Sequence, residues 1–201
     1  MEIGYKLILA SASPRRRELL AGLDLPFEVR VADRVDESYP AGLEESDVPL
    51  FISRKKSETY LESMADDEIV ITADTVIIAG KRILGKPSDR EEAAEMLRLL
   101  SGRQHQVVTG VTLAAKGRTH SFKVTTDVWF SVLTDSEIDY YIERYRPFDK
   151  AGAYGIQEWI GYVGIERIDG SYFNVVGLPV QRLYRELLSF VSSLKADPDT
   201  L

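Results

Sequence analysis

The 201-residue chain contains no cysteine and only two histidines, His105 and His120, and this excludes several kinds of chemistry. Without cysteine there is no disulfide framework, no thiolate nucleophile and no zinc site of the cysteine type. Two histidines are too few for a histidine-rich metal site. The function must therefore rest on carboxylates, hydroxyls, lysines and arginines.

Long apolar runs and an excess of positive charge are also missing. No apolar stretch approaches the ~18 residues of a membrane span, and the N-terminus lacks the basic and apolar segments of a signal peptide. We therefore expect a cytoplasmic protein that does not bind membranes. The formal net charge of -7 disfavours binding to a nucleic-acid polymer.

Apolar periodicity predicts an α/β fold, a mixed twisted sheet flanked by helices. The predicted strands cover residues 7–10, 27–31, 69–78, 106–115, 122–133 and 162–168. Helices are predicted from Ser13-Pro14 onward and over residues 50–64, 88–100 and 179–191. A further helix begins at Thr134 and ends before Pro147. Capping boxes are predicted at Ser88 with Glu91 and at Thr134 with Glu137.

Arg15, Arg16 and Arg17 break a local rule, because they place three cations in the first turn of a helix, where the dipole favours negative charge. The backbone N–H groups at the same helix end would help to bind an anion. The alternative is that the arginines point into solvent or pair with Glu18. Their position after a strand and a Ser-Ala-Ser turn favours an anion site.

Asp74 breaks a second rule, since it lies within the β-branched run 71–78, where a carboxylate is costly to bury unless it is paired or metal-bound. The alternative is an aspartate that caps a neighbouring backbone group at a strand bend. We favour a functional role, because Thr75 beside it is polar and a lysine follows at Lys86.

Residues 80–87 nearly match the spacing of a phosphate-binding P-loop, but Pro87 stands where a magnesium-binding Ser or Thr is required. Gly80-Lys81 instead predicts a hairpin that presents Lys86 at its far end. Taken alone, Lys86 fits a solvated lysine better than a phosphate ligand.

The glycine-containing loop 149–157 permits close approach to a ligand, and Gln157 offers a donor and an acceptor suited to the edge of a base. A plain structural loop explains the same residues equally well. We expect His105 to pack or hydrogen-bond inside the protein and His120 to be exposed.

Clustered cations and a strand-borne carboxylate together suit a metal-assisted reaction on a phosphorylated small molecule. The carboxylate would hold the metal or take a proton from water, and the cations would balance phosphate charge.

Seven groups of residues, in the same order along almost the whole chain, resemble the Maf family of nucleoside triphosphate pyrophosphatases, also called septum-formation proteins. They cover residues 9–16, 73–75, 85–87, 100–107, 149–157, 170–172 and 175–179. The resemblance implies an inosine-triphosphate-pyrophosphatase-like fold with two lobes around a central cleft. It also implies a nucleoside triphosphate substrate, a divalent metal (Mg or Mn) and a homodimer. Residues 1–195 would form one Maf-like domain, followed by a polar tail over 196–201.

Matched motif by motif, the resemblance assigns roles to nine residues. The catalytic positions fall on Asp74, Lys56 and Lys86, and the metal-binding positions on Glu37 and Asp74, with Asp36 competing for the place of Glu37. The substrate-binding positions fall on Ser11, Arg15, Arg16, Thr75 and Gln157. Of these, Arg15, Thr75 and Gln157 resemble the positions that set nucleotide choice.

Loop 152–157 resembles the branch that acts on dTTP and UTP. The leading hypothesis is therefore a dTTP/UTP pyrophosphatase that protects the nucleotide pool or acts at cell-division arrest. The alternatives are a pyrophosphatase for 7-methyl-GTP or other modified nucleotides, and a non-catalytic nucleotide-binding regulator of division.

Overall fold

The computed structural model describes residues 3–32 and 35–196, and within them the predicted mixed α/β architecture is confirmed. One sheet has the strand order β2-β1-β3-β5-β6-β7, with β4 paired to β3. β1 runs parallel to both β2 and β3, whereas β3 with β4 and β6 with β7 are antiparallel. The strands are β1 (Lys6–Leu9), β2 (Phe27–Val29), β3 (Glu68–Ala79), β4 (Arg82–Leu84), β5 (Gln104–Ala115), β6 (Arg118–Phe130) and β7 (Ile165–Asp169).

Seven α-helices lie between or after these strands in the described residues, together with two short 3-10 turns. In the same ranges, no helix is both long enough and apolar enough to cross a membrane. Residues 197–201 of the predicted polar tail lie outside the residues that the structure describes. The helices are α1 (Pro14–Ala21), α2 (Val48–Glu58), α3 (Arg90–Leu100), α4 (Asp135–Tyr145), α5 (Trp159–Gly164), α6 (Tyr172–Val176) and α7 (Val180–Lys195).

Helix caps account for several of these boundaries. The capping box predicted at the start of α4 is confirmed, since the Thr134 side chain and the Glu137 side chain each bind the other's backbone N–H. The box predicted at Ser88 and Glu91 is wrong by one residue. Asp89 is the N-cap of α3 and accepts from the Glu92 N–H at 2.8 Å.

The strand predicted over residues 162–168 is also wrong in its first half. Residues 159–164 form α5, and only residues 165–169 form β7. Gly161 permits this turn, since a Cβ there would lie 1.8 Å from the carbonyl oxygen of Ile156. The tight backbone contact overrides the strand preference of the neighbouring Tyr and Val residues.

The chain divides into two compact units. The first comprises the described parts of Met1–Asp74, Thr109–Lys123 and Gly177–Leu201. The second comprises Thr75–Val108 and Val124–Val176. The divisions therefore fall within β3, β5 and β6, and each unit has its own buried residues.

In the first unit, α2 packs on β5 at Gly110, where a glycine is required by close backbone contact. A Cβ at that position would lie 2.3 Å from the Leu50 nitrogen and 2.4 Å from the Pro49 carbonyl carbon. Buried hydroxyls join the same elements, because Ser53 Oγ lies 2.9 Å from Thr112 Oγ1. These contacts fix the position of α2 within this unit.

The first unit also contains His120, whose side chain is 42% exposed, so the predicted exposure is confirmed in part. Its Nε2 lies 2.7 Å from Glu186 Oε2 on α7, and its ring stacks on Phe190.

The second unit is built around the buried faces of α3 and α4. Leu97, Leu100, Ile138 and Tyr141 are almost fully buried in its core. His105 lies in this unit, 2% exposed, with Nε2 2.7 Å from the Tyr154 hydroxyl, which confirms that it packs and hydrogen-bonds. Both tryptophans of the chain, Trp129 and Trp159, belong to this unit.

Candidate active site

The turn into α1 forms the first part of the candidate site. Ser13 is the N-cap, accepts a 3.5 Å hydrogen bond from the Arg16 N–H, and is followed by Pro14 in the first turn. The Ser11 hydroxyl accepts from the Ser13 N–H at 3.3 Å, so Ser11 lies within the same turn. The helix start predicted from Ser13-Pro14 is therefore confirmed. The expected anion site is at this end of α1, where the first backbone N–H groups of a helix are available to bind an anion.

Arg16 is anchored to the main chain of the first unit and does not point into solvent. Its Nη1 donates to the Ala73 carbonyl at 2.8 Å, and its Nε donates to the Gly177 carbonyl at 2.9 Å. Burial lowers the pKa of this guanidinium, and the charge of Asp74 opposes that effect. Arg16 is therefore linked both to the residue preceding Asp74 and, through its charge, to Asp74 itself.

Lys56, Asp74 and Glu37 form the centre of the candidate site. Lys56 Nζ lies 2.8 Å from Asp74 Oδ1 and also 2.8 Å from Glu37 Oε1. The Lys56 and Asp74 side chains are only 14% and 13% exposed, whereas Glu37 is 61% exposed. Asp74 is thus paired, as its position in an apolar strand requires. The alternative interpretation of Asp74 was a cap for a backbone group at a strand bend. The structure instead shows an ion pair between Asp74 and Lys56.

Asp36, which competes with Glu37 for the metal-binding assignment, has a different partner. Its carboxylate lies 2.6 Å from Lys55 Nζ and also accepts from the Ser38 N–H at 2.9 Å. These hydrogen bonds hold the pKa of Asp36 far below its ordinary value. The two consecutive acids are thus paired with two consecutive lysines, and Glu37 is the acid that shares a lysine with Asp74.

Three predicted site residues belong to the second unit. Thr75 follows Asp74 directly on β3 and is half-buried. Lys86 is exposed and lies after β4, at the far end of the predicted hairpin, which the antiparallel pairing of β3 and β4 confirms. Residues 80–87 therefore form a hairpin and its exit, so the structure supports rejecting a P-loop.

Gln157 lies in the loop that connects the second 3-10 turn to α5. Its Oε1 atom is buried and has no hydrogen-bond partner among the described residues. The same loop contacts the segment that carries Lys86, since the Gly152 N–H donates to the Gly85 carbonyl at 2.9 Å. Gly152 has a φ of +64°, which favours glycine, and a Cβ there would lie 2.6 Å from Ile77 Cδ1.

Within the first unit, the structure brings together Arg16, Glu37, Lys56 and Asp74. Local sequence patterns did not indicate three further residues of the second unit that are hydrogen-bonded to one another, namely the buried Tyr141 and Lys150 and the half-buried Glu158. Tyr141 lies on α4 and Glu158 lies 17 residues later, just before α5, so no local spacing could have paired them.

Asp74 and Glu37 are suited to a divalent cation, because carboxylate oxygens are the ligands that Mg²⁺ and Mn²⁺ prefer. Both carboxylates already converge on one cation, the Lys56 ammonium, which shows that the position favours positive charge. Across residues 3–32 and 35–196, no three His, Asp or Glu side chains are grouped to hold a metal. Two protein carboxylates are enough when substrate phosphates supply further ligands.

Comparison with known proteins assigns the family. The model of the family described as Maf-like protein matches residues 6–190. The chain belongs to the Maf family. This Maf chain is 55% identical over 186 residues to a protein of Parabacteroides distasonis, covering 92% of this chain and 96% of that protein. It is 56% identical over 191 residues to a protein of Porphyromonas gingivalis, covering 94% and 96%. Both relatives carry the name "dTTP/UTP pyrophosphatase".

Among solved structures, the Maf chain is similar to a nucleoside-triphosphatase / dITP/XTP pyrophosphatase from Mycobacterium abscessus. The identity is 15%, the TM-score is 0.41, and the match covers 95% of this chain and 97% of that one.

Proposed function

We propose that this Maf-family chain hydrolyses dTTP and UTP to the nucleoside monophosphate and pyrophosphate. The observation that carries the proposal is Lys56 held between Asp74 and Glu37, in a chain whose close relatives are named for this reaction. A partly buried carboxylate beside cations suits a reaction in which water loses a proton and phosphate oxygens gain charge.

In the proposed reaction, Asp74 takes a proton from a water molecule as the water oxygen attacks the α-phosphorus. The bond between the α-phosphorus and the oxygen that bridges to the β-phosphate breaks, and pyrophosphate leaves with that electron pair. Lys56 orients the Asp74 carboxylate through their 2.8 Å hydrogen bond. We assign Arg15, Arg16, Lys86 and the Ser11 turn to the charge and oxygens of the phosphates.

Asp74 and Glu37 would hold the divalent cation, Mg or Mn, that we include in this proposal. When bound, that cation would neutralise charge on the phosphate oxygens and help to orient the substrate. Chelation by EDTA should abolish turnover, and addition of Mg²⁺ or Mn²⁺ should restore it. Full activity in EDTA would contradict the metal requirement.

The test of the active site is Asp74→Asn, assayed by release of UMP and pyrophosphate from UTP with Mg²⁺ or Mn²⁺. Loss of a general base lowers rates by roughly 10²–10⁴-fold, and we expect a loss of that size. Asp66→Asn is the matched control, since Asp66 is an exposed partner of Lys116 and should tolerate the change. Near wild-type turnover by Asp74→Asn would remove Asp74 from the mechanism.

The substrate class is tested with a panel of nucleotides under the same conditions. We expect dTTP and UTP to be turned over fastest. A preference for 7-methyl-GTP would support the modified-nucleotide alternative, and tight dTTP binding without turnover would support a non-catalytic regulator.

We also propose that the chain acts in the cytoplasm as a homodimer, in nucleotide-pool housekeeping or cell-division arrest. Exposed apolar side chains of the second unit, including Tyr162, Val163 and Phe173, support association with a second copy. Light scattering coupled to size-exclusion chromatography should give about twice the 22.6 kDa chain mass. A monomer at micromolar concentration would contradict the dimer.

A further inference from the structure

We propose that Tyr141, Lys150 and Glu158 form a hydrogen-bonded clamp that holds Gln157 ready to accept a hydrogen bond from an N–H group on the substrate base. This inference rests on the proposed function, because it assigns Gln157 to base recognition. The three clamp residues are positioning residues, since they act through Gln157.

The clamp is a chain of hydrogen bonds within the second unit. The Tyr141 hydroxyl donates to Glu158 Oε2 and accepts from the Gly155 N–H at 3.0 Å. The other carboxylate oxygen of Glu158 lies 3.0 Å from Lys150 Nζ. Tyr141 is fully buried and Lys150 is 8% exposed, so water competes little for these bonds.

The clamp residues stabilise one another's protonation and charge states. Burial, followed by the hydrogen bond to Glu158, raises the pKa of Tyr141 far above its ordinary value, so the hydroxyl keeps its proton and remains a donor. Lys150 compensates the charge of the half-buried Glu158 and also lies 2.8 Å from the more exposed Asp149 carboxylate. A fully satisfied buried network of this kind specifies one arrangement of the backbone around it.

Gly155 connects the clamp to Gln157. A Cβ built on Gly155 would lie 3.0 Å from Gln157 Nε2 and 3.1 Å from both Glu158 Cδ and Lys150 Cε. The Gln157 amide therefore lies against the same backbone atom that the clamp side chains surround. The Glu158 N–H also donates to the Gly155 carbonyl at 2.9 Å, which closes a tight turn around Gln157.

Gln157 is held with an unused acceptor. Its buried Oε1 has no hydrogen-bond partner in the described part of the chain, and an unsatisfied buried acceptor is unfavourable. A base that presents a ring N–H would satisfy it. Uracil and thymine have an imide N–H at that edge, whereas cytosine has an unprotonated ring nitrogen, which would place one acceptor against another. The clamp would thus help to select UTP over CTP.

The experiment compares kcat/KM for UTP and CTP in wild type, Tyr141→Phe, Gln157→Ala and the double variant. Tyr141→Phe removes only the hydroxyl that joins Glu158 to Gly155, and we expect the UTP-to-CTP ratio to fall at least tenfold. In the Gln157→Ala background the same change should have little effect on the ratio, because the clamp acts through Gln157.

The control is Tyr145→Phe. Tyr145 lies on the same helix and stacks on Tyr141 at 5.2 Å, but its hydroxyl makes no hydrogen bond to other described residues. It should keep the wild-type ratio. If Tyr141→Phe does not fold, Glu158→Gln keeps the shape of the clamp while removing its charge, and it should lower the ratio in the same way.

The outcomes separate the inference from the function on which it rests. If wild type hydrolyses UTP but Tyr141→Phe slows UTP and CTP equally, the clamp is only structural and the inference is overturned. An additive effect of Tyr141→Phe in the Gln157→Ala background would also overturn it. If wild type hydrolyses no nucleotide, the proposed function fails and the inference fails with it.

Discussion

Replacing Gly110 with alanine should displace α2 and with it Lys56. The added Cβ would lie 2.3 Å from the Leu50 nitrogen and 2.4 Å from the Leu50 Cα and the Pro49 carbonyl carbon, against 3.4 Å for ordinary contact. All three contacts are to backbone, so no side chain can rotate away. The start of α2 must therefore move by about 1 Å to restore van der Waals separation.

The substitution should lower the free energy of unfolding by about 3 kcal/mol, which is the upper end of the range for overpacking substitutions. For a chain of this length, that loss lowers Tm by roughly 6–12 °C. Activity should fall as well, since Lys56 is carried on α2 and a misplacement of about 1 Å can cost on the order of 100-fold in rate.

Differential scanning calorimetry and the UTP turnover assay measure the two effects. Gly85→Ala is the control for stability, because a Cβ at Gly85 would meet nothing within 4 Å. It should change Tm by no more than about 4 °C. If Gly110→Ala has the same Tm as Gly85→Ala, the close contact between α2 and β5 does not limit stability, and the reasoning is refuted.

Three other perturbations test separate features of the structure. Arg16→Lys keeps the charge but loses the fork that binds two main-chain carbonyls, so kcat should fall more than KM rises; a change in KM alone would indicate simple phosphate binding. Burial lowers the pKa of His105 to about 4 from 6.5, so the unfolded state binds the proton more readily. The contribution of the neutral, buried His105 to the free energy of unfolding is complete above pH 6.5. About 3 kcal/mol of it is lost progressively as the pH falls from 6.5 through 4. Urea unfolding at several pH values should show a smaller loss for His105→Gln than for wild type between pH 6.5 and 4. Finally, Thr134→Ala removes the capping box of α4 and should cost about 1 kcal/mol, seen as a Tm lower by roughly 2–4 °C.

The sequence was informative where a local rule decided the outcome. The box at Thr134 and Glu137 was readable because both partners lie within one helical turn. Asp74 stood out because a carboxylate in an apolar strand needs a partner, and the structure supplies Lys56. The roles that the family resemblance assigns to these residues remain predictions for the assays above.

Local patterns were insufficient where two neighbouring residues gave the same signal, or where a contact outside the pattern decided the outcome. Ser88 and Asp89 are both good caps, and only the observed hydrogen bonds distinguish them. The run from Tyr162 has strand-like composition, but the contact at Gly161 turns the preceding residues into a helix. No sequence pattern singled out Glu158, because its partner Tyr141 lies 17 residues away along the chain.

The placement of both tryptophans in the second unit makes tryptophan fluorescence a selective spectroscopic probe of that unit. Trp129 lies under the Arg167 guanidinium at 4.5 Å, and Trp159 packs against Tyr140 at 4.9 Å, so their emission depends on contacts within that unit. Trp159 is two residues beyond Gln157, so a titration with UTP, followed by the emission of Trp159, would test the proposed contact between Gln157 and the base. Unfolding of the first unit would have to be followed by another signal, such as far-ultraviolet circular dichroism.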